Sequence, residues 1–404
     1  MVRPKQGKMD WKSRLVRQML HDKDMLYVMH VRISFFRNIL RDFTAERCRS
    51  YTIIDHPLYP KPGMKSTYSV HRKDALETST SFPALPGPYP LNFLKDFLLT
   101  VFWGYKSNIT YDIGLGANNL NTLALLLLRK LGRVKKVIYI CIDYTPVRYD
   151  NPILNALYHW VDRMCCYHSD VLWNSSGRMN EARIKNGVDG SKITHTIVMP
   201  DGSNFDYRRR LPLSKIDRKK VVFLGHMRPV MGVKLILESF KEIIRLIPDV
   251  RLVLIGDGPE LKKYQEKARA LHHNTHVTFT GFIKDHAKVD DILRTGALGL
   301  APFVPDKNSY EYYSDVGKPK AYLAAGMPVV ITRVPEIADI IKKEKAGIVI
   351  EYTKKDFIDA VISLLKNDRM YRLYRKNAIA LSKKYIWENI FTTTYKKTLA
   401  YLKI

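Results

Sequence analysis

The stretch Ser314-Asp-Val-Gly-Lys-Pro-Lys-Ala-Tyr-Leu-Ala-Ala-Gly-Met-Pro-Val-Val330 decides how the second half of this chain folds. A turn containing Gly317 and Lys318 runs into a helical pattern, which Gly326 and Pro328 end before an apolar strand. The first N–H groups of a helix and its dipole attract anions, and a lysine there adds a full positive charge. The stretch therefore predicts a helix N-terminus that holds a phosphate-bearing ligand.

Outward from this stretch, residues 219–350 alternate buried-strand runs with helical patterns, and the N-terminal half does the same from Met25 onward. Strands that alternate with helices indicate parallel, doubly wound sheets. We therefore predict an α/β chain with two Rossmann-like domains that face an interlobe cleft. The predicted limits are 1–205 for an N-terminal acceptor-binding domain, 206–384 for a C-terminal nucleotide-sugar-binding domain, and 385–404 for a helix that returns to the first domain.

Two segments of the N-terminal half depart from this alternation. Prolines, serines and polar residues dominate from Lys61 to Pro90, which predicts a long loop or a hairpin that touches a substrate. The following segment, Leu91 to Trp103, has an amphipathic helical pattern in which Lys95 and Asp96 interrupt the apolar residues. Such a helix either lies on a membrane surface or packs in the core, and we favour the core.

The net charge of +28 is spread evenly over both halves of the chain. An evenly spread positive charge argues against a nucleic-acid-binding arm. It fits either ordinary solvated surfaces or attraction of the chain to anionic lipid, and the basic stretch Lys5 to Arg17 would contribute to such an attraction. We find no apolar run long enough to span a bilayer and no signal peptide, which predicts a cytoplasmic protein, peripheral on the inner face of the cell membrane if lipid attracts it. The four cysteines show no metal-binding spacing, so we expect free thiols.

Several motifs of the second half resemble the donor-binding domain of GT-B glycosyltransferases of group 1, also called family 4. They occur in the family's order, and they are Leu224-Gly225, Gly232-Val-Lys-Leu-Ile-Leu-Glu-Ser-Phe240, Leu254-Ile-Gly-Asp-Gly-Pro259, Val277-Thr-Phe-Thr-Gly-Phe-Ile283, Tyr322-Leu-Ala-Ala-Gly-Met-Pro-Val-Val330 and Pro335-Glu-Ile337. The resemblance covers about half of the chain well and the N-terminal lobe in outline. It implies a transferase that uses a nucleotide-diphosphate sugar as donor.

The chain departs from the family pattern where an arginine and a lysine usually clamp the donor diphosphate. Those positions hold His226 and Met231, and we expect Arg228 and Lys234 to substitute. Lys318 lies in a Ser-x-x-x-Lys pattern similar to that of bacterial exopolysaccharide transferases, whose lysine contacts the phosphates.

The paired glutamates of the retaining branch are also absent, because their positions hold Tyr313 and Ala321. Glu311 or Asp315 remain as replacements for the ribose contact. The nucleotide base is expected beside Phe282 and Ile283. The full set of expected donor-binding residues is Gly225, His226, Arg228, Lys234, Phe282, Ile283, Ser314, Asp315 and Lys318.

A transferase of this kind requires a general base that accepts the proton of the acceptor hydroxyl, and Asp143 is our candidate. It follows an apolar strand at the carboxyl end, where doubly wound folds bind ligands, and Arg148 lies in the same loop. The alternative is that Asp143 caps a turn, and His30, His56 and His159 compete for the role. Asp22-Lys-Asp24 matches a metal-binding D-x-D motif but lacks its structural context, so we expect no metal and no cofactor.

We therefore expect a metal-independent hexosyltransferase of polysaccharide biosynthesis that acts on a glycan or lipid-linked acceptor. Two alternatives stay open: a nucleotide-sugar 2-epimerase of the same fold, and a non-catalytic subunit of a transferase complex.

Overall fold

The computed structural model describes residues 11–31, 35–58, 61, 63–72, 75–273, 275–307 and 309–404. The chain divides into two compact units, one formed by Met1–Met199 with Ile390–Ile404 and the other by Pro200–Asn389. We predicted limits after residues 205 and 384. The basic stretch Lys5 to Arg17 lies largely outside the described residues.

Among its described residues, the first unit contains eight strands. In chain order its helices and strands are α1 Trp11–Leu20, β1 Asp24–Val31, α2 Phe35–Ala45, β2 Ser50–Pro57, β3 Lys65–Arg72, β4 Ala75–Pro83, α3 Tyr89–Lys106, β5 Tyr111–Ala117, α4 Asn119–Lys130, β6 Val134–Cys141, α5 Pro152–His168, β7 Val171–Asn174, α6 Arg178–Lys185 and β8 Thr196–Val198.

These strands form one sheet in the order β4-β3-β2-β1-β5-β6-β7-β8. Pairing is parallel from β2 through β8, and β3 and β4 add an antiparallel hairpin at the edge. The segment predicted as a loop or hairpin is therefore a hairpin. The strand order reverses between β1 and β5, which is the point where doubly wound sheets bind ligands at the carboxyl ends of their strands.

The second unit is built around a six-stranded parallel sheet. Its elements are β9 Asp217–Leu224, α7 Val233–Leu246, β10 Arg251–Ile255, α8 Leu261–Ala270, β11 Val277–Gly281, α9 His286–Leu293, β12 Gly296–Ala301, α10 Tyr310–Tyr313, α11 Gly317–Ala325, β13 Val329–Thr332, α12 Ile337–Lys343, β14 Gly347–Ile350, α13 Lys354–Lys366 and α14 Asp368–Ser382. The last helix, α15 Trp387–Leu402, begins in this unit and ends in the first.

The strand order of the second sheet is β11-β10-β9-β12-β13-β14, with all neighbours parallel. The strands are short apolar runs such as Val221 to Phe223, buried because helices cover both faces of a parallel sheet. Here the order reverses between β9 and β12. The prediction of an α/β chain with two mainly parallel sheets is confirmed.

Helix α11 begins at Gly317, within the predicted turn, and Ser314 is the residue that follows the short helix α10. One local prediction needs correction. Helix α3 forms where the pattern placed it, but Leu94, Leu98 and Phe102 are more than half exposed, at 56%, 57% and 53%. The prediction that this apolar stripe packs in the core is therefore wrong. Among the described residues, no helix is both long enough and apolar enough to cross a membrane.

Candidate functional site

Glycines lock three loops together at the carboxyl edge of the second sheet. Gly225 follows β9, and Gly256, which follows β10, has φ +132° and lies so close that an added Cβ would sit 1.9 Å from the Gly225 carbonyl oxygen. Gly232, with φ +71° at the start of α7, approaches Pro302 after β12 in the same way, because a Cβ there would sit 1.7 Å from the Pro302 oxygen. The loop after β9 is thus fixed on both sides of the point where the strand order reverses.

A cluster of charges lies where this loop meets the start of α11. The Arg228 guanidinium donates to the buried Glu311 carboxylate at 2.5 Å. Lys318 is the second residue of α11, and burial together with the positive charge of Arg228 lowers the pKa of its ammonium group, while Glu311 and Asp201 oppose that shift. The charges of Arg228 and Glu311 therefore act on Lys318 at the N-terminus of α11. In front of it, a Cβ added at Gly317 would meet no atom within 4 Å.

This cluster brings together two of the predicted donor-binding residues, Arg228 and Lys318, with Glu311. Gly225 supports the same loop. Asp201, whose charge acts on Lys318, was missed by the sequence reasoning. Its signal in the sequence is the Pro200-Asp-Gly202 turn after β8.

The Asp315 carboxylate is engaged in contacts within the protein. It forms an ion pair with the fully buried Lys320 and accepts a hydrogen bond from the Asp201 N–H at 2.5 Å. Lys320 also donates to the Asp201 carbonyl oxygen at 2.6 Å. Of the two carboxylates proposed for the ribose contact, Asp315 is therefore engaged inside the fold, and Glu311 lies in the charge cluster.

The remaining predicted donor residues differ in their exposure. The Ser314 hydroxyl is buried and has no hydrogen-bond partner among the described residues, so it is not presented to solvent. His226 is exposed after β9, and Lys234 is exposed in the first turn of α7. Phe282 is 74% exposed after β11, whereas Ile283 packs partly against the core. The structure thus leaves Phe282, and not its neighbour, with an open aromatic face.

In the first unit, Asp143 follows β6 at the carboxyl end, as predicted. Its carboxylate accepts a hydrogen bond from Arg148 at 3.0 Å, and both side chains remain about one-third exposed or less, at 28% and 32%. Burial tends to lower the pKa of Arg148, but the charges of Asp143 and Tyr158 outweigh it, so the pKa is raised and the guanidinium stays charged. The loop thus presents a paired carboxylate and cation.

The histidines that compete with Asp143 lie in other surroundings. His30 and His56 end β1 and β2, and both are buried against the Asp96 carboxylate of α3, at 3.2 and 3.1 Å. Burial lowers the pKa of His56 to about 4. His159 is partly buried, and its Nε2 lies 2.8 Å from the Pro146 carbonyl oxygen. Asp143 is therefore more accessible than His30 and His56, whereas His159 is partly buried, as Asp143 is.

Comparison with known proteins identifies the second unit most clearly. Residues 218–367 match the family model "Glycosyl transferases group 1". One curated relative, N-acetyl-alpha-D-glucosaminyl L-malate synthase of Bacillus anthracis, is 26% identical over 156 residues, which cover 38% of this chain and 38% of the relative. The chain matches less than half of the length of the first curated relatives.

Solved structures match nearly the whole chain in fold. Sucrose-phosphate synthase from Thermosynechococcus elongatus aligns with a TM-score of 0.67 at 16% identity, over 94% of this chain and 99% of that one. Anabaena HepE in complex with UDP-glucose aligns with a TM-score of 0.65 at 13% identity, again over 94% and 99%. The predicted GT-B fold is confirmed, and so is the resemblance to group 1 glycosyltransferases.

Proposed function

We propose that this chain, whose residues 218–367 form a group 1 glycosyl transferase domain, moves a hexosyl group from a nucleoside-diphosphate sugar to a hydroxyl of a glycan or lipid-linked acceptor. The observation that carries the proposal is the cluster of Arg228, Glu311 and Lys318 at the N-terminus of α11. Two cations and the backbone N–H groups of Gly317 and Lys318, the first two residues of α11, suit a diphosphate. The HepE structure, which holds UDP-glucose, supports the same class of donor.

The reaction requires a bond to form and a bond to break at the anomeric carbon of the donor sugar. The acceptor oxygen bonds to that carbon, the bond from carbon to the phosphate oxygen breaks, and a nucleoside diphosphate departs with the electron pair. Negative charge on the phosphates grows as this bond breaks. Arg228, Lys318 and the first N–H groups of α11 stabilise that charge, which is the type of interaction that accelerates the chemical step.

The acceptor hydroxyl must lose its proton, and we assign that proton to the Asp143 carboxylate. The support is chemical: Asp143 stands at the carboxyl end of a strand near the reversal point of the first sheet and is partly exposed. Arg148 fixes the orientation of the carboxylate through one oxygen. The competing role for Asp143 is to hold Arg148 in its loop, and substitution separates the two roles.

We further propose that transfer needs neither a metal nor a cofactor, because Arg228 and Lys318 supply the positive charge that a divalent ion would otherwise give to the leaving group. Turnover is then expected to be unchanged by a chelator such as EDTA. Loss of turnover with EDTA and its return with Mg²⁺ or Mn²⁺ would contradict this part of the proposal.

The test begins with a panel of nucleoside-diphosphate sugars scored by thermal shift, because a ligand that binds the native state raises the melting temperature. Each sugar that binds is then incubated with the protein, and both free nucleoside diphosphate and the sugar are analysed. A transferase releases nucleoside diphosphate slowly to water and faster with an acceptor. Isomerised donor would identify an epimerase, binding without turnover a non-catalytic subunit, and the absence of any thermal shift would refute the proposed donor site.

A further inference from the structure

Helix α3 buries polar residues and exposes an apolar stripe, which is the reverse of an ordinary surface helix. Its polar residues Asn92, Lys95, Asp96 and Thr100 are buried, and the Asp96 carboxylate is held by Lys95 and by Ser66 of β3 at 2.8 and 2.9 Å. Trp103 is buried with them, but most of the other large apolar side chains of the helix are exposed. The exposed stripe consists of Leu91, Leu94, Leu98, Phe102 and Tyr105. An amphipathic helix of a water-soluble domain normally shows the opposite arrangement, so this stripe needs a partner of its own.

The stripe continues over the neighbouring helices. Helix α4 packs against both α3 and α5, and Leu120, Leu123 and Leu127 on α4 are half-buried on its outer side. On α5, Ile153, Leu157 and Trp160 are exposed at spacings of one helical turn. We call the outer side of these three helices the apolar face. Its exposed apolar residues lie together on neighbouring helices, whereas the exposed hydrophobic residues of an ordinary protein surface are scattered singly.

The charges on this face have one sign. All residues of α3, α4 and α5 are described, and their only acidic side chains, Asp96 and Asp162, are both buried. Positive groups border the apolar residues instead. Lys106 lies 5.4 Å from the ring centre of Phe102, and Arg133 lies 4.7 Å from that of Tyr105. The same surface thus offers hydrocarbon at its centre and cations at its edge.

From these observations we infer that the apolar face docks on the surface of an anionic lipid bilayer. Leucine, phenylalanine and tryptophan side chains enter the boundary between head groups and acyl chains, while Lys106 and Arg133 meet the phosphates. A second copy of this chain fits worse, because each copy carries a net charge of +28 and the face has no exposed carboxylate to pair with the partner's cations. The bilayer supplies both the apolar phase and the negative charge. This inference concerns attachment and goes beyond the proposed transfer reaction.

The experiment is flotation of the full-length chain with vesicles of phosphatidylcholine alone or mixed with phosphatidylglycerol. The wild type is expected to float with the mixed vesicles, to float much less with phosphatidylcholine alone, and to be released as salt rises. The double variant Leu94→Glu, Leu98→Glu is expected to lose partitioning by about tenfold or more for each leucine, because each withdraws a buried apolar side chain from the bilayer. Leu373→Glu, at an exposed leucine of α14, is the matched control and keeps wild-type flotation.

A second readout protects the test against misfolded variants. Trp160 is 48% exposed on α5, so its fluorescence emission should shift to the blue when mixed vesicles are added, and Trp160→Phe should remove most of that shift. Lys318→Ala is expected to float like the wild type, which separates attachment from donor binding.

Three outcomes would overturn the inference. They are flotation that the double variant does not reduce, equal flotation with and without phosphatidylglycerol, and a self-associated wild type that Leu94→Glu, Leu98→Glu makes monomeric. The last would assign the apolar face to a second copy.

Discussion

Replacement of Lys318 by alanine is the most direct perturbation of the proposed donor site. The lysine stands in the first turn of α11 beside the Arg228–Glu311 ion pair. A hydrogen bond from a charged group contributes about 1.5 to 3 kcal/mol. Lys318→Ala is therefore expected to weaken nucleoside-diphosphate binding by about 10-fold to 150-fold, at 1.4 kcal/mol for each factor of ten.

The pH dependence of binding gives a second signature of Lys318. Burial and the neighbouring Arg228 lower the pKa of its ammonium group below the ordinary 10.5. A diphosphate binds the charged form, so affinity is expected to fall as the pH rises through this lowered pKa. In Lys318→Ala the group is gone, and that part of the alkaline fall should vanish. A merely structural lysine would not produce this difference.

The assay is isothermal titration of wild type and variants with the nucleoside diphosphate that gives the largest thermal shift, at neutral and alkaline pH. Lys355→Ala, at an exposed lysine of α13, is the control for the loss of one positive charge from the unit. An unchanged melting temperature of the free protein shows that Lys318→Ala still folds. Equal affinity of Lys318→Ala and wild type for every nucleotide that binds would remove Lys318 from the donor site.

Three further predictions concern single side chains. Asp143→Asn cannot take the acceptor's proton, so turnover should fall by roughly 10² to 10⁴ with donor affinity within a few fold; near wild-type transfer would make Asp143 a loop residue. Asp315→Ala leaves the buried Lys320 without its partner carboxylate, so the free energy of unfolding, measured by urea titration, should fall by about 3 kcal/mol. An unchanged urea midpoint would show that the ion pair is dispensable. Burial lowers the pKa of His56 to about 4, so between pH 6.5 and 4 the unfolded chain binds a proton that the folded chain does not. The free energy of unfolding should therefore fall by about 2 kcal/mol from pH 7 to pH 5. In His56→Asn, the dependence of that free energy on pH should be weaker.

Much of the second unit could be predicted because its local patterns agree with its global fold. The apolar run Val221 to Phe223 lies in β9 and the helix Val233 to Leu246 begins directly after Gly232, as the predicted alternation of strands and helices over residues 219–350 requires. Gly232 and Gly256 mark the tight loops, because a Cβ added there would lie 1.7 and 1.9 Å from a backbone oxygen, and only glycine avoids that clash. Short-range rules therefore suffice for these elements.

The partners of individual side chains could not be predicted in the same way. Asp315 and Lys320 pair with each other and with the backbone of Asp201, which is far away in the sequence. The resemblance to group 1 glycosyltransferases implied instead that Asp315 or Glu311 contacts the ribose. Arg228 and Glu311 are likewise brought together by the reversal of strand order between β9 and β12, which no local pattern encodes. Contacts of this kind depend on the order of the strands in the sheet, so they could not be predicted from local sequence patterns.

Helix α3 shows why amphipathicity alone does not tell which side of a helix is buried. The pattern fixes two opposite faces, and the usual expectation assigns the apolar face to the core. Here His30 and His56, at the ends of β1 and β2, present polar rings to α3 and select Asp96 as the inward residue. Once Asp96 is buried with Lys95 and Ser66 as partners, helical geometry forces Leu94 and Leu98 to the outside. The buried polar cluster and the exposed apolar face are thus two consequences of one choice of helix orientation. A substitution that removes the carboxylate, such as Asp96→Leu, should therefore weaken both the packing of α3 and the attachment that we infer for its outer side.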